Sequence, residues 1–345
     1  MFKEIFSREL GAALRVPMVY IFTFVFALMA FMAVVSDSVM IGGAIGAVHK
    51  NAPHIVTTFV TVLSIFGLLF AVAFFNNAAL RDFNNNFDEI LFTTPLNKAA
   101  YFFGRFLGAL VLSTIPLIGV FLGVYLGTLL GPVFDWIPAE RLGPTPWAAF
   151  LTNYLLFIVP NMFLSGALIY AMAQKWRSTI ISFVGALIII IGYIVSGNLL
   201  SDLENVQIAG LSDPFGIRAY SVDSRYFTTV EKNTLAPSFS GILLYNRLIW
   251  MSLGFLILLV SYFSFKPQKN PSASRFKLRK KAKELASNAS KPLGALPKVS
   301  LYYKGMGWQH FVSFFKDASR SILKNTVFKI LAAFALILLS TDLIN

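Results

Sequence analysis

Apolar residues are gathered into long blocks along this chain, separated by shorter polar stretches. Each block is about 20 residues long, the length that a helix needs to cross a hydrocarbon core about 30 Å thick. The blocks predict six spans, at about Pro17–Val35, His54–Phe75, Phe106–Gly131, Trp147–Ala173 (interrupted at Pro160), Ser178–Val195 and Leu243–Phe265. The pattern therefore predicts an all-α polytopic membrane protein.

The polar segment Asn76–Gly108 lies between the second and third predicted spans. Within it, apolar residues recur at helical spacing, at Leu80, Phe83, Phe87, Ile90 and Leu91. Pro95 is expected to end this helix, because proline lacks the N–H and clashes with the preceding turn. We interpret the segment as a surface helix made to contact something in the water phase. A solvated loop cap is the alternative.

The first fifteen residues predict an amphipathic helix in the plane of the lipid headgroups. Phe2, Ile5 and Phe6 share one helical face, while Lys3 and Arg8 lie on the other. Such a helix lies on the bilayer with its basic face toward lipid phosphate. A cleaved signal peptide fits less well, because basic residues continue to position 15 and no A-x-A-like site follows the apolar run.

Charge sets the expected orientation. The chain is 57% hydrophobic with a mean hydropathy of +0.70, and its net charge is +13. Lys and Arg are concentrated at the amino terminus, in Asn76–Gly108, in Gln174–Arg177 and after Lys266. Short basic loops stay in the cytoplasm, so the amino terminus is predicted to be cytoplasmic. This explains the positive charge without a nucleic-acid partner, and none is expected.

The unit at 1–265 is expected to be followed by a basic cytoplasmic linker at 266–300, a solvated tether near anionic headgroups. The layout then begins again at 301–345, with an amphipathic helix and an apolar run at about Val327–Leu339. The chain thus predicts a second, incomplete repeat with a seventh span. Either the protein has an odd number of spans or the sequence is a fragment of a longer one, which we favour.

Motifs for chemistry are absent from the sequence. It has no phosphate-cradling G-x-x-x-x-G-K-[ST] loop and no H-E-x-x-H pair. It has no cysteine, and His49, His54 and His310 show no zinc-ligand spacing. We also expect no ionisable side chains inside the spans, which argues against an ion-coupled carrier. No catalytic residue, metal or cofactor is assigned to this chain.

Glycine recurs every four residues in the third predicted span, at Gly119, Gly123, Gly127 and Gly131. Glycine at this spacing lets two helix backbones approach closely. We favour packing within one chain, and a contact between two copies of the chain remains the alternative. Asn153 and Asn161 lie nearly on one face of the fourth span and are expected to hydrogen-bond neighbouring helices.

Taken together, Met1–Lys266 resembles the membrane subunit of ABC transporters of the ABC-2 type, which have an interfacial amino-terminal helix and six spans. The most specific match is a family pattern of a glutamate, apolar residues, a Thr-Pro turn and a Gly-basic pair. It is met here by Glu89, Leu91-Phe92, Thr94-Pro95 and Gly104-Arg105. The Gly-Thr that usually precedes the glutamate is replaced by Asn86-Phe87.

This resemblance implies a permease driven by a separate ATPase subunit, which would bind ATP and Mg²⁺, in a bacterial inner membrane. The residues expected to couple to that subunit are Leu80, Arg81, Asp82, Phe87, Asp88, Glu89, Leu91, Phe92, Pro95, Gly104 and Arg105. A homodimer or a second permease half is implied as a further partner. The layout of linker and second unit is similar to tandem permeases, some of which carry a zinc aminopeptidase-like domain. A membrane scaffold for a peptidase, without transport, is the alternative.

Overall fold

The computed structural model describes residues 1–36, 47–200 and 206–265, together with 312–313, 315–317 and 319–320. The predicted linker and almost all of the predicted second repeat lie outside the described residues. The helices of the first unit are α1 (Phe2–Leu14), α2 (Pro17–Val35), α3 (Pro53–Asn84), α4 (Asp88–Leu91), α5 (Lys98–Val133), α6 (Trp147–Asn153), α7 (Val159–Trp176), α8 (Thr179–Leu200), α9 (Val206–Ser212), α10 (Ile217–Asp223), α11 (Thr229–Thr234) and α12 (Gly241–Ser264). No strand occurs in these ranges, and the all-α fold class is confirmed.

Six helical segments are long and apolar enough to cross a membrane: α2, α3, α5, α6 with α7, α8 and α12. The first matches its predicted bounds, Pro17–Val35. The second and third are longer than predicted, since α3 continues to Asn84 and α5 already begins at Lys98. Much of the supposed surface segment Asn76–Gly108 therefore belongs to the ends of two membrane helices.

The core is built around α3, which packs on α5, α7 and α8. In its most apolar stretch 72% of the residues are buried, against 28% in each of α2, α8 and α12. The central helix thus buries most of its side chains against protein. The three outer helices keep large apolar side chains exposed, as lipid-facing helices do.

The fourth span contains a π-helical turn, Tyr154–Ile158, between α6 and α7. Pro160 lies in the first turn of α7 and has no N–H to donate. The helix changes its winding locally rather than ending there. The predicted interruption at Pro160 is a π turn within a continuous span.

The polar stretch before the last span does not stay outside the bundle. α9 packs on α8 and α12, and α10 packs on α9 and α12. Phe215, in the turn between α9 and α10, is 1% exposed and meets the Tyr193 ring at 5.6 Å. The Tyr220 hydroxyl lies 2.9 Å from Nδ1 of His54 on α3. This segment is a short helical hairpin set against the spans.

Candidate functional site

Four charged side chains meet where α1, α3 and α5 come together, and we call this cluster the charged junction: Glu9, Arg81, Asp82 and Arg105. Oε2 of Glu9 accepts from Nη2 of Arg81 and from Nη1 of Arg105, both at 2.9 Å. Arg105 also contacts Asp82, whose Oδ2 accepts from the Tyr101 hydroxyl at 2.8 Å. Two carboxylates thus balance two guanidinium groups. Buried charges are tolerated only when they are paired and hydrogen-bonded in this way.

Two glycines on α5 let α1 reach this position. A Cβ added at Gly104 would lie 3.1 Å from Cγ2 of Ile5, and one added at Gly108 would lie 2.8 Å from Cβ of Glu9. The close approach brings the Glu9 carboxylate within reach of Arg105. The Gly104-Arg105 pair therefore has a structural role in this chain. Gly104 lets α1 approach α5 closely, and the Arg105 guanidinium pairs with the buried Glu9 carboxylate of α1.

The predicted helix running from Leu80 to Leu91 is broken in the structure. Asn86 has a left-handed backbone with φ of 54°, which asparagine tolerates better than most residues. The Phe87 N–H then donates to the Asp82 carbonyl at 2.8 Å. Only Asp88–Leu91 forms a separate helix, α4. The expectation of one continuous amphipathic helix was wrong because the asparagine-rich turn ends α3.

The break divides the predicted coupling residues by exposure. Phe87, Glu89 and Pro95 are exposed, and Arg81, Leu91 and Phe92 are half-buried. Inside the chain lie Leu80, Asp82, Asp88, Gly104 and Arg105. These five do not reach an outer surface in this structure. Ile90, which the apolar pattern included, is the most exposed large apolar residue of the turn, at 63%.

A groove of about 300 Å³ runs beside the charged junction, between α1 and the α4 turn. Ile5, Phe87, Leu91 and Leu96 give it an apolar lining, and charged residues of the junction and of α1 line the remainder. Phe87, which lines this groove, is 48% exposed. A concave apolar surface with charged edges is suited to receiving part of another protein.

The glycine face of α5 packs against α2. A Cβ at Gly119 or Gly123 would collide with the backbone carbonyls of Thr23 and Ala27, respectively. At Gly127 it would lie 2.9 Å from Cβ of Val34, and at Gly131 it would approach Ile137 at 2.7 Å. The structure thus places all four glycines in contacts within one chain.

A second polar cluster joins the last span to the helical hairpin. Arg247, on α12, is 5% exposed, and it donates through Nη1 to Oδ1 of Asn161 at 2.8 Å and through Nε to Oδ1 of Asn246 at 2.9 Å. The Asn246 amide donates to the carbonyls of Gly210 and Asp213, at 2.7 and 2.8 Å. The α9–α10 hairpin is held to the bundle by these bonds.

This cluster overturns one expectation. The spans were expected to hold no ionisable side chain, yet Arg247 lies within the predicted sixth span and inside α12. The argument against an ion-coupled carrier from the absence of charge therefore no longer stands.

Nearby, burial raises the pKa of Asp213 above its usual value, while hydrogen bonds from the Arg218 and Phe215 backbone N–H groups partly oppose this rise.

The asparagines of the fourth span bond to neighbouring helices. Nδ2 of Asn153 donates to Oγ1 of Thr57, and Nδ2 of Asn161 donates to Oγ of Ser64, both at 3.0 Å. Of the histidines, His54 pairs with Tyr220 as described, and the backbone N–H of His49 donates to Asn233 at 2.9 Å. His310 lies outside the described residues. Within the described ranges no group of three or more His, Cys, Asp or Glu side chains forms a metal-binding cluster.

Three residues central to these clusters were not singled out from the sequence: Glu9, Tyr101 and Arg247. A signal existed for two of them. Glu9 follows Ile5 by four residues and so places a carboxylate on the apolar face of α1. Arg247 is a cation inside an apolar run, which by itself indicates a specific partner.

A comparison with protein-family models found no matching family, and a comparison with curated proteins found no significant match.

Proposed function

We propose that this chain is the membrane subunit of an ATP-driven transporter, and that the exposed surface of α4 docks a separate nucleotide-binding subunit. The observation that carries the proposal is the exposure of Phe87, directly before α4, and of Ile90, on α4, at 48% and 63%, between two membrane helices. Glu89 is exposed beside them. Apolar side chains exposed close together beside an exposed charge are suited to burial against a partner protein.

The charged junction would carry movement from α4 into the membrane. The turn before α4 is bonded to the Asp82 carbonyl, and the Asp82 side chain contacts Arg105 on α5. Arg105 in turn binds Glu9 on α1. Pressure on α4 would therefore act on α1, α3 and α5 together. In this proposal the buried residues of the predicted coupling set transmit force, while Phe87, Glu89 and Ile90 make contact.

We further propose a bacterial inner membrane as the location, with α4 and the amino terminus in the cytoplasm and ATP and Mg²⁺ bound by the partner. Support comes from the basic residues that lie at this end of the bundle. Arg177, at the end of α7, lies 4.2 Å above the Phe83 ring of α3, so Lys175 and Arg177 share the end that carries α1 and α4. Basic residues mark the cytoplasmic side.

Copurification tests the docking surface. The Phe87→Ala/Ile90→Ala double variant removes the two exposed anchors, and each buried anchor is typically worth about 2 kcal/mol, roughly thirtyfold in affinity. We expect the variant to insert normally but to lose its ATPase, identified by mass spectrometry, and to lose ATPase activity in proteoliposomes. Glu89→Lys should weaken binding more at low salt, where charges are less screened.

Val230→Ala/Phe239→Ala is the matched control, because both side chains are exposed, at 70% and 56%, in the segment that precedes α12. It should leave ATPase recovery unchanged. Equal recovery of the ATPase with the α4 double variant and the control would refute the docking surface. The scaffold function would then be the better account of this chain.

A further inference from the structure

A crevice of about 440 Å³ opens between the ends of α7 and α12. One wall is apolar and includes Leu256, Ile257 and Val260 of α12, of which Leu256 and Val260 are each 57% exposed. Lys175, Trp176 and Arg177 at the end of α7 also line it, and the first two are exposed. The crevice thus combines a lipid-facing slot with a basic, aromatic mouth.

The Gln174 side chain is the unexplained feature of this crevice. It lines the space and is only 7% exposed, and although its amide interacts with the buried Tyr170 hydroxyl, neither Nε2 nor Oε1 makes a hydrogen bond of ordinary geometry to a described residue. Burying an amide without partners is unfavourable, so such groups are usually satisfied by protein, water or ligand. A ligand offering both an acceptor and a donor would satisfy the two atoms at once.

The positive charge of the residues that line the crevice indicates which kind of ligand it would bind. No carboxylate is among the described residues that line the crevice. The Lys175 ammonium lies 4.8 Å from the Trp176 ring centre, and Trp176 is 51% exposed. Tryptophan beside basic residues is typical of the headgroup level of a membrane. Basic pockets between spans on the cytoplasmic side suit anionic lipid headgroups.

We propose that this crevice binds one anionic glycerophospholipid whose headgroup carries a hydroxyl group, such as phosphatidylglycerol. An acyl chain would lie along Leu256 and Val260, the phosphate would face Lys175 and Arg177, and Gln174 would donate to an ester or phosphate oxygen and accept from the headgroup hydroxyl. The lipid is drawn from the leaflet on the side of α1. The proposal rests on the membrane orientation given above but not on ATP-driven transport.

Native mass spectrometry in detergent tests it, with phosphatidylglycerol and phosphatidylcholine of the same acyl chains added to the purified full chain. We expect one phosphatidylglycerol to be retained at concentrations where phosphatidylcholine is lost. Lys175→Gln should weaken this binding about fivefold, since each basic residue near an anionic headgroup contributes about that much. Gln174→Leu should weaken it as well, while Lys3→Gln, an exposed cation of α1, should not.

Thermal unfolding provides a second readout. Phosphatidylglycerol should raise the melting temperature of wild type and of Lys3→Gln, but less that of Lys175→Gln and Gln174→Leu. Glycerol phosphate, the headgroup without acyl chains, should give no shift. Equal retention of the two lipids, or unchanged phosphatidylglycerol binding in both crevice variants, would overturn the proposal. Loss of the ATPase in the α4 variant with lipid binding intact would leave it standing.

Discussion

Nη1 of Arg247 on α12 donates a 2.8 Å hydrogen bond to Oδ1 of Asn161 on α7, and both side chains are buried. Asn161 uses its amide nitrogen to bind Ser64 on α3. Side-chain hydrogen bonds therefore connect the last span, α12, through α7 to the central helix α3. A charge inside a membrane helix is costly without such partners.

Removing this cation should destabilise the bundle. Arg247→Leu leaves the acceptors of Asn161 and Asn246 without a donor, which costs about 1–3 kcal/mol for each buried group. We expect a clear fall in unfolding temperature in detergent. Arg225→Leu is the matched control, because Arg225 is exposed beside Tyr226, and it should change little.

The double variant Arg247→Leu/Asn161→Leu separates the pair from its surroundings. Replacing both partners by apolar groups should recover part of the stability lost in Arg247→Leu. The single variant Asn161→Leu is measured as well. If the stability losses of Arg247→Leu and Asn161→Leu add up to the loss of the double variant, the 2.8 Å bond does not couple the two spans.

Glu9 should matter far more than its neighbour Glu4. Glu9→Gln leaves the Arg81 and Arg105 guanidinium groups with only Asp82 between them, and breaking a buried pair costs on the order of 3 kcal/mol. Glu4→Gln removes an exposed pair with Arg8, worth about 0.5 kcal/mol or less. Denaturant unfolding in detergent compares them. Equal unfolding midpoints would mean that the junction does not hold α1 in place.

Alanine should be harmful on the glycine face of α5. In Gly123→Ala the new methyl group would collide with the Ala27 carbonyl, and overpacking of this kind costs about 1–3 kcal/mol. Gly11→Ala is the control, because among the described residues no atom beyond its own stretch of helix lies within 4 Å of an added Cβ there. It should be neutral or stabilising by up to about 1 kcal/mol, since alanine favours helix. Similar melting temperatures for the two variants would contradict the tight α2–α5 contact.

Membrane orientation can be read from single cysteines, since the chain has none of its own. Asn85 lies exposed in the turn before α4, and Tyr226 is 86% exposed beyond α10. In intact cells, an impermeant thiol reagent should label Tyr226→Cys and spare Asn85→Cys until the membrane is permeabilised. Labelling of Asn85→Cys at the same rate from outside would reverse the proposed topology.

The positions of the spans follow from the sequence because apolar length is a local property. Pro17–Val35 agrees with α2 to the residue, and the five other predicted spans overlap α3, α5, α7, α8 and α12. Helix ends were less predictable. α3 continues past Phe75 because Leu80 and Asp82 are buried against protein, which no hydropathy pattern records.

The pairing of buried polar residues from different helices came from the tertiary structure. The sequence by itself determined the all-α class, the six spans and the basic segments. It did not determine that Glu9 meets Arg105, 96 positions away, or that Arg247 meets Asn161, 86 positions away. Such pairings depend on how helices pack, and packing is set by contacts such as Gly104 against Ile5 and Gly123 against Ala27. Helical periodicity gives the face of a side chain on its own helix but not the helix that the face will meet.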